Sequence, residues 1–299
     1  MLGALWTFAL TTLTMIAFAA NSLLCRAALR GGAIDAESFT AIRLISGAIV
    51  LVIITRAFPG DDGGDPRSHG SWRSAIALGA YAIAFSYAYL KLGAGAGALL
   101  LFGSVQLTMI AGGLARGERP SPRQWIGLAV AATGMVVINL PSLEAPPLSG
   151  AVLMVTAGIG WGVYSLGGRG ARRPIMATAG NFVRCLPFSA LFGAIAIFAT
   201  AQVTTRGVVL AVISGAVTSG LGYCLWYAVL PSLGAARAAI VQLSVPVIAA
   251  VGAIVLLDEP LRRHVAIGGA IILGGLALAL WQRRRAPAQS ATTVTAAAR

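Results

Sequence analysis

Three features of the sequence predict an all-α membrane protein whose ten transmembrane helices form two inverted five-helix repeats: its composition, its succession of apolar stretches, and a set of landmark residues that recurs at one fixed offset. Of the 299 residues, 58% are apolar and only 10% charged, against roughly 25% charged in water-soluble domains. A mean hydropathy of +0.84 agrees. The 37 glycines follow no Gly-X-Y period, which excludes a collagen-like chain, and so apolar a sequence is not a disordered linker.

Crossing the hydrocarbon layer takes about 20 apolar residues, because roughly 30 Å is covered at 1.5 Å per residue. Ten stretches meet that requirement, at 4–26, 37–56, 73–91, 94–115, 122–140, 149–168, 175–199, 207–229, 234–256 and 262–282. The small residues Ala17–Ala20 resemble a signal-cleavage region, but no basic segment precedes them, so the first stretch reads as a span. The connections are too short for a soluble domain, and the longest carries Asp61, Asp62 and Asp65. Residues 286–299 read as a disordered cytoplasmic tail. Cys25, Cys185 and Cys224 lie in or beside apolar runs without paired spacing and read as buried small apolar residues.

Charge supplies sidedness. The chain has 22 basic and 9 acidic residues, a net of +13, and Lys91 is its one lysine. The arginines stand singly or in twos and threes between apolar runs, which is the pattern of membrane flanks and not of a nucleic-acid groove. With the N-terminus inside, fourteen basic residues fall on one face, among them Arg116, Arg119, Arg169, Arg172 and Arg173. Six fall on the other: Arg26, Arg30, Lys91, Arg206, Arg262 and Arg263. The positive-inside bias places both termini in the cytoplasm.

An offset of 141 superposes Arg43 on Arg184, Gly93 on Gly234, Glu118 on Glu259, Gly127 on Gly268 and Gly134 on Gly275. Glycine-rich helices resemble one another by composition, but the arginines and glutamates need a repeat to explain them. The repeats are 1–143 and 144–285. Each holds five spans, an odd number, so the second enters the membrane in the opposite sense to the first. Two such halves related by an in-plane pseudo-twofold exchange conformations at similar energy, which is the architecture of secondary transporters.

These residues resemble a known family, the drug/metabolite transporter superfamily, as two tandem EamA-type units. The resemblance covers residues 1–285 and rests on Leu92-Gly93-Ala94 and Leu233-Gly234-Ala235, on the Glu118/Pro120 and Glu259/Pro260 corners, on Arg43 and Arg184, and on Trp161-Gly162. The first helix departs from the family pattern, with Ala20-Asn21 in the corresponding place. Within the superfamily the chain looks most like amino-acid exporters of the YddG type. That implies export of aromatic and other neutral amino acids across a bacterial inner membrane, with broad specificity, the bilayer and a small-molecule substrate as partners, and a monomer as the working expectation. Exporters of drugs or other small metabolites in the same superfamily are the alternative, and a channel is the rival from another class. A channel would carry polar stripes along several spans, whereas the polar groups here are isolated.

Enzymatic and pumping chemistry lack their reagents. There is no phosphate-cradling Gly-x-x-x-x-Gly-Lys-Ser/Thr, no Gly-x-Ser-x-Gly elbow, and no pair of intramembrane aspartates; His69 and His264 read as loop residues. No metal or cofactor is called for. All nine acidic residues fall in loops or at helix ends, so a buried carboxylate relay for protons is missing. Facilitative or exchange transport by alternating access follows.

The candidate substrate-binding residues are the polar and aromatic groups deep in the spans. Arg43 and Arg184 are costly at that depth unless paired or hydrated, and serve either a substrate carboxylate or the carbonyls of a neighbouring helix. Pro246 deprives the Gln242 carbonyl of its usual donor, which creates a notch that Gln242 and Ser244 can line, with Gln106 at equivalent depth in the fourth span. Trp161 with Tyr164, and Tyr223 with Trp226, are three apart, and Tyr81 and Phe85 four apart, so each pair shares a helix face. Asn21 is an isolated polar residue in an apolar run. Tyr87, Tyr89 and Tyr227, near span ends, read as interfacial aromatics. The runs Gly93-Gly95-Gly97 and Gly158-Gly160-Gly162 read as close helix-packing faces.

Overall fold

The structure, a computed structural model, describes residues 2–30, 32–58, 65–92, 94–140, 146–198, 202–257 and 261–281. The landmarks Gly93, Asp258, Glu259 and Pro260, the acidic residues Asp61, Asp62 and Glu144, and the tail at 286–299 lie outside the described residues.

Eleven α-helices follow one another: α1 (Leu2–Arg30), α2 (Ala36–Ala57), α3 (Trp72–Lys91), α4 (Ala94–Leu114), α5 (Pro122–Asn139), α6 (Leu148–Gly168), α7 (Pro174–Phe198), α8 (Thr205–Ile213), α9 (Gly222–Gln242), α10 (Val245–Leu257) and α11 (Arg263–Leu280). A π-helical segment, Ser214–Leu221, joins α8 to α9 without a gap. α9 turns sharply at Gly234, whose φ of 72° is open to glycine and strained for other residues. Counted as rods between these turns, the chain makes ten helices. Among the described residues there is no strand, only an isolated bridge between Ile34 and Val203. Seven helical stretches are long and apolar enough to cross a membrane, and one of them, Thr205–Gln242, runs for 38 residues.

The sequence supplies its own helix starts. Asp35 accepts from the Ser38 amide at 2.7 Å at the head of α2, and Ser71 from the Ser74 amide at 3.1 Å at the head of α3. Ser121 and Gln124 form a reciprocal capping box behind Pro122, and Thr204 accepts from Gly207 at 3.1 Å. Each satisfies an amide that the first helical turn otherwise leaves without a partner.

Small residues let the helices meet. A Cβ on Gly158 would lie 2.7 Å from the Leu101 carbonyl of α4, and one on Gly160 would lie 2.8 Å from the Ala77 carbonyl of α3. α5 and α11 meet at Gly127 and Gly134 against Gly275 and Gly268. Cys25, Cys185 and Cys224 are buried free thiols.

Four sequence expectations change. The first helix is longer than 4–26, spanning Leu2–Arg30. The expected span at 234–256 is interrupted at Leu243 and Ser244, because the Pro246 ring lacks a donor and clashes with the carbonyl four residues back; the expected notch is a full break, where the Ser244 hydroxyl donates to the Val241 carbonyl at 2.7 Å. Tyr227 is not interfacial: it is buried, and its hydroxyl donates to the Tyr164 carbonyl at 3.0 Å. His264 lies in the first turn of α11 and not in a loop.

Candidate functional site

Six helices converge on a cavity in the middle of the bundle. α1 supplies Phe18 and Asn21, α3 supplies Tyr81 and Phe85, α4 supplies Phe102, α6 supplies Trp161, α9 supplies Tyr223 and Gln242, and α10 supplies Val245. Its volume is about 30 Å³, room for one or two waters, so this conformation holds the space contracted. The rings interlock: Phe18 stands edge-on to Trp161 at 5.0 Å, and Trp161 lies 4.7 Å from Tyr223 and 5.0 Å from Tyr81.

Arg43 backs this wall. It is 1% exposed. Its Nε donates to Ser219 Oγ at 2.9 Å and its Nη2 to the hydroxyls of Tyr223 at 2.7 Å and Tyr81 at 3.4 Å, while Nη1 has no hydrogen-bond partner among the described residues. The guanidinium carbon sits 5.3 Å from the Tyr81 ring centre and 5.9 Å from that of Phe85, a cation–π arrangement that offsets part of the cost of burying the charge. No carboxylate of a described residue pairs with it; Glu118 pairs instead with Arg169.

The sequence-derived residues separate into groups. Asn21, Tyr81, Phe85, Trp161, Tyr223 and Gln242 line the cavity and Arg43 stands behind it. Tyr164 and Trp226 form a second layer: Trp226 Nε1 donates to Ser165 Oγ at 2.9 Å, and the Tyr164 ring stacks on Tyr227 at 4.8 Å. Gln106 turns toward α9, its Nε2 donating to the Ala239 carbonyl at 2.7 Å, and Ser244 is engaged at the helix break. Arg184 is not brought to the cavity. It donates to the carbonyls of His69 at 2.6 Å, Arg67 at 2.7 Å and Gly180 at 3.0 Å.

Sequence reasoning missed Phe18, Ser22, Phe102 and Val245 of the lining, among others, and Ser219 behind it. Phe18 is three residues before Asn21 and so shares its helix face, a signal that was present. Ser219 belongs to the π segment, where the wider turn brings Ser214, Thr218 and Ser219 together around Asn21 Oδ1, at 2.7, 3.1 and 3.5 Å. The i, i+4 spacing anticipates Ser214 with Thr218, but not the addition of Ser219.

The two ends of the cavity differ. Toward the C-terminal end of α1, a cavity of about 180 Å³ lined by Arg26, Tyr89 and Asn139 shares Ser22, Phe102 and Val245 with the central one. Toward the other end, a vestibule of about 460 Å³ is lined by Ser71, Ser74, Asn181, Arg172, Arg173 and Tyr227. Tyr164, Tyr223 and Tyr227 stack between it and the centre. At that end Glu118 pairs with Arg169 and accepts from the Ala235 amide at 3.0 Å, just past the Gly234 turn.

The sequence profile of the EamA-like transporter family matches this chain twice, over residues 4–140 and again over residues 148–281. The chain belongs to the EamA-like transporter family. With seven helices apolar enough to span, this family member is a multi-pass membrane protein, a transporter with a small-molecule substrate in a lipid environment. It is 49% identical over 279 residues to an uncharacterized protein of Pseudomonas aeruginosa, covering 93% of this chain and 95% of that one. It also resembles a protein of known crystal structure at a TM-score of 0.75 and 18% identity, over 92% of this chain and 96% of the other, a likeness of fold.

Proposed function

We propose that this EamA-family transporter exports amino acids with aromatic and other neutral side chains across a bacterial inner membrane by alternating access, facilitatively or by exchange. The observation that carries this reading is the buried Arg43, which stands behind the cavity wall and hydrogen-bonds Tyr81 and Tyr223, two tyrosines of a lining that also holds Phe18, Phe85 and Trp161. A carboxylate satisfies the arginine and an apolar side chain the aromatic lining.

Arrangement supports the mechanism. Gly127 meets Gly275 and Gly134 meets Gly268; exchanging each residue with its partner at the 141 offset turns either contact into the other, as a twofold relation between inverted halves requires. The arginine-rich end, with Arg169, Arg172 and Arg173, would face the cytoplasm. On that reading the vestibule of about 460 Å³ is a cytoplasmic antechamber, shut off from the centre by the tyrosine stack. Opening it requires the Glu118–Arg169 contact to part.

Uptake of labelled aromatic and aliphatic amino acids into liposomes holding the purified chain, with and without a pH gradient, tests the proposal. Saturable, mutually competitive uptake without the gradient is the expected result. Absence of uptake of every amino acid overturns the substrate assignment and favours the drug- and metabolite-exporting alternative, and strict dependence on the gradient overturns the facilitative mechanism.

A further inference from the structure

The cavity is backed by a fixed positive charge, and its lining holds no carboxylate to pair with an ammonium group. The Tyr81 and Tyr223 hydroxyls, which line the cavity, both accept from Arg43, whose Nη1 has no hydrogen-bond partner among the described residues. One fixed positive charge therefore stands directly behind two tyrosines of the lining. The lining offers no anion. The lining contains neither Asp nor Glu, Asn21 Oδ1 already takes hydroxyls from Ser214 and Thr218, and Gln242 Oε1 takes Trp161 Nε1 at 2.6 Å. The unpartnered Gln106 Oε1 is not in the lining. The described acids are engaged elsewhere: Asp35 and Asp65 cap helices, Glu37 accepts from Tyr87 at 2.5 Å, and Glu118 holds Arg169.

An ammonium brought here meets a like charge and no anion, while a carboxylate meets the partner that a buried guanidinium otherwise lacks. We propose that the cavity recognises its cargo through the carboxylate alone, so that it carries apolar monocarboxylates without an α-ammonium group, such as aryl 2-oxo acids, in preference to the matching amino acids. The proposal rests on the reading of the Arg43 cavity as the transport site. It has an energetic consequence. A zwitterion crosses the membrane without net charge, but a monocarboxylate takes one negative charge with it, so an interior-negative potential drives its export, by about fifty-fold at 100 mV.

The test uses the unaltered full chain in liposomes and three compounds of the same ring and chain: phenylalanine, phenylpyruvate, which stays ionised near neutral pH, and phenethylamine, which has the amine without the carboxylate. Expected are faster entry of phenylpyruvate than of phenylalanine, competition between the two, no entry of phenethylamine, and up to about fifty-fold accumulation of phenylpyruvate when a potassium diffusion potential of 100 mV, inside positive, is imposed. Phenylalanine entry unaffected by phenylpyruvate overturns this inference and leaves amino-acid export standing. Entry of phenylpyruvate that ignores the potential overturns the charge movement, and entry of neither acid overturns both this inference and the reading beneath it. Arg43→Gln abolishes phenylpyruvate entry and Arg43→Lys retains part of it; equal entry with Arg43→Gln also overturns the proposal. The compound and voltage comparisons need no variant, so they decide the matter even where an Arg43 substitution impairs folding.

Discussion

Arg43 in α2 and Arg184 in α7 occupy the same place in the two halves of the sequence and have opposite surroundings. Arg184 is held by three backbone carbonyls, two of them from the connection between α2 and α3. Arg43 meets only hydroxyls and rings, and one of its nitrogens meets nothing. The difference follows from loop length. The connection from α2 to α3 runs over residues 58–71 and turns through Pro66–Ser68 against α7, whereas its counterpart from α7 to α8 covers only 199–204. The long loop delivers the His69 and Arg67 carbonyls to Arg184. Two arginines at one sequence offset thus take different surroundings, one bound by loop carbonyls and the other set behind the cavity wall.

The largest expected effect sharpens this contrast. Arg43→Gln lowers transport about 100-fold, about 2.7 kcal/mol, while the thermal midpoint holds or rises because a buried charge without a counter-ion is gone; a collapse of folding instead would make Arg43 as structural as Arg184. Next, Arg184→Gln strips the Arg67 and His69 carbonyls of a charged donor and reduces unfolding stability by about 1–3 kcal/mol, with substrate half-saturation changed less than about two-fold, of order 0.4 kcal/mol. A large change in half-saturation with stability intact would erase the distinction. Tyr223→Phe removes the 2.7 Å acceptor of Nη2 and is expected to weaken binding about five-fold, about 1 kcal/mol, measured by competition in vesicles. Ser219→Ala, which frees Nε while Asn21 keeps its other hydroxyls, should cost about two-fold, about 0.5 kcal/mol.

The helices, the close-packing glycines and the depth of Trp161, Tyr81 and Arg43 were legible in the sequence, because apolar run length and i, i+3 or i, i+4 spacing report faces of regular helices. The partners of those residues were not. Tyr227 reads as interfacial by its position near a span end, yet Asn181 and the Tyr164 carbonyl give its hydroxyl partners inside the bundle. Ser219 escaped notice because a π segment changes the spacing on which face arguments rest. Pro246 signalled a disturbance in the right place, but a complete break with Ser244 turned onto Val241 depends on how α10 docks. Arg184 could be separated from Arg43 only once the α2–α3 loop was seen lying over it.

The seam between α5 and α11 has a mechanical consequence. A Cβ at Gly127, Gly134, Gly268 or Gly275 would lie 2.5–2.7 Å from an atom of the facing backbone, so at these four points the two helices touch main chain to main chain, with Ile138 and Ile272 packed beside them. Sliding along such a joint would need both backbones to climb over one another. Neither helix lines the central cavity. On the alternating-access reading proposed above, the pair would serve as a chassis against which the elements bearing Gly234, the π segment and the break at Leu243 flex, and the work of admitting a solute would fall on the other helices.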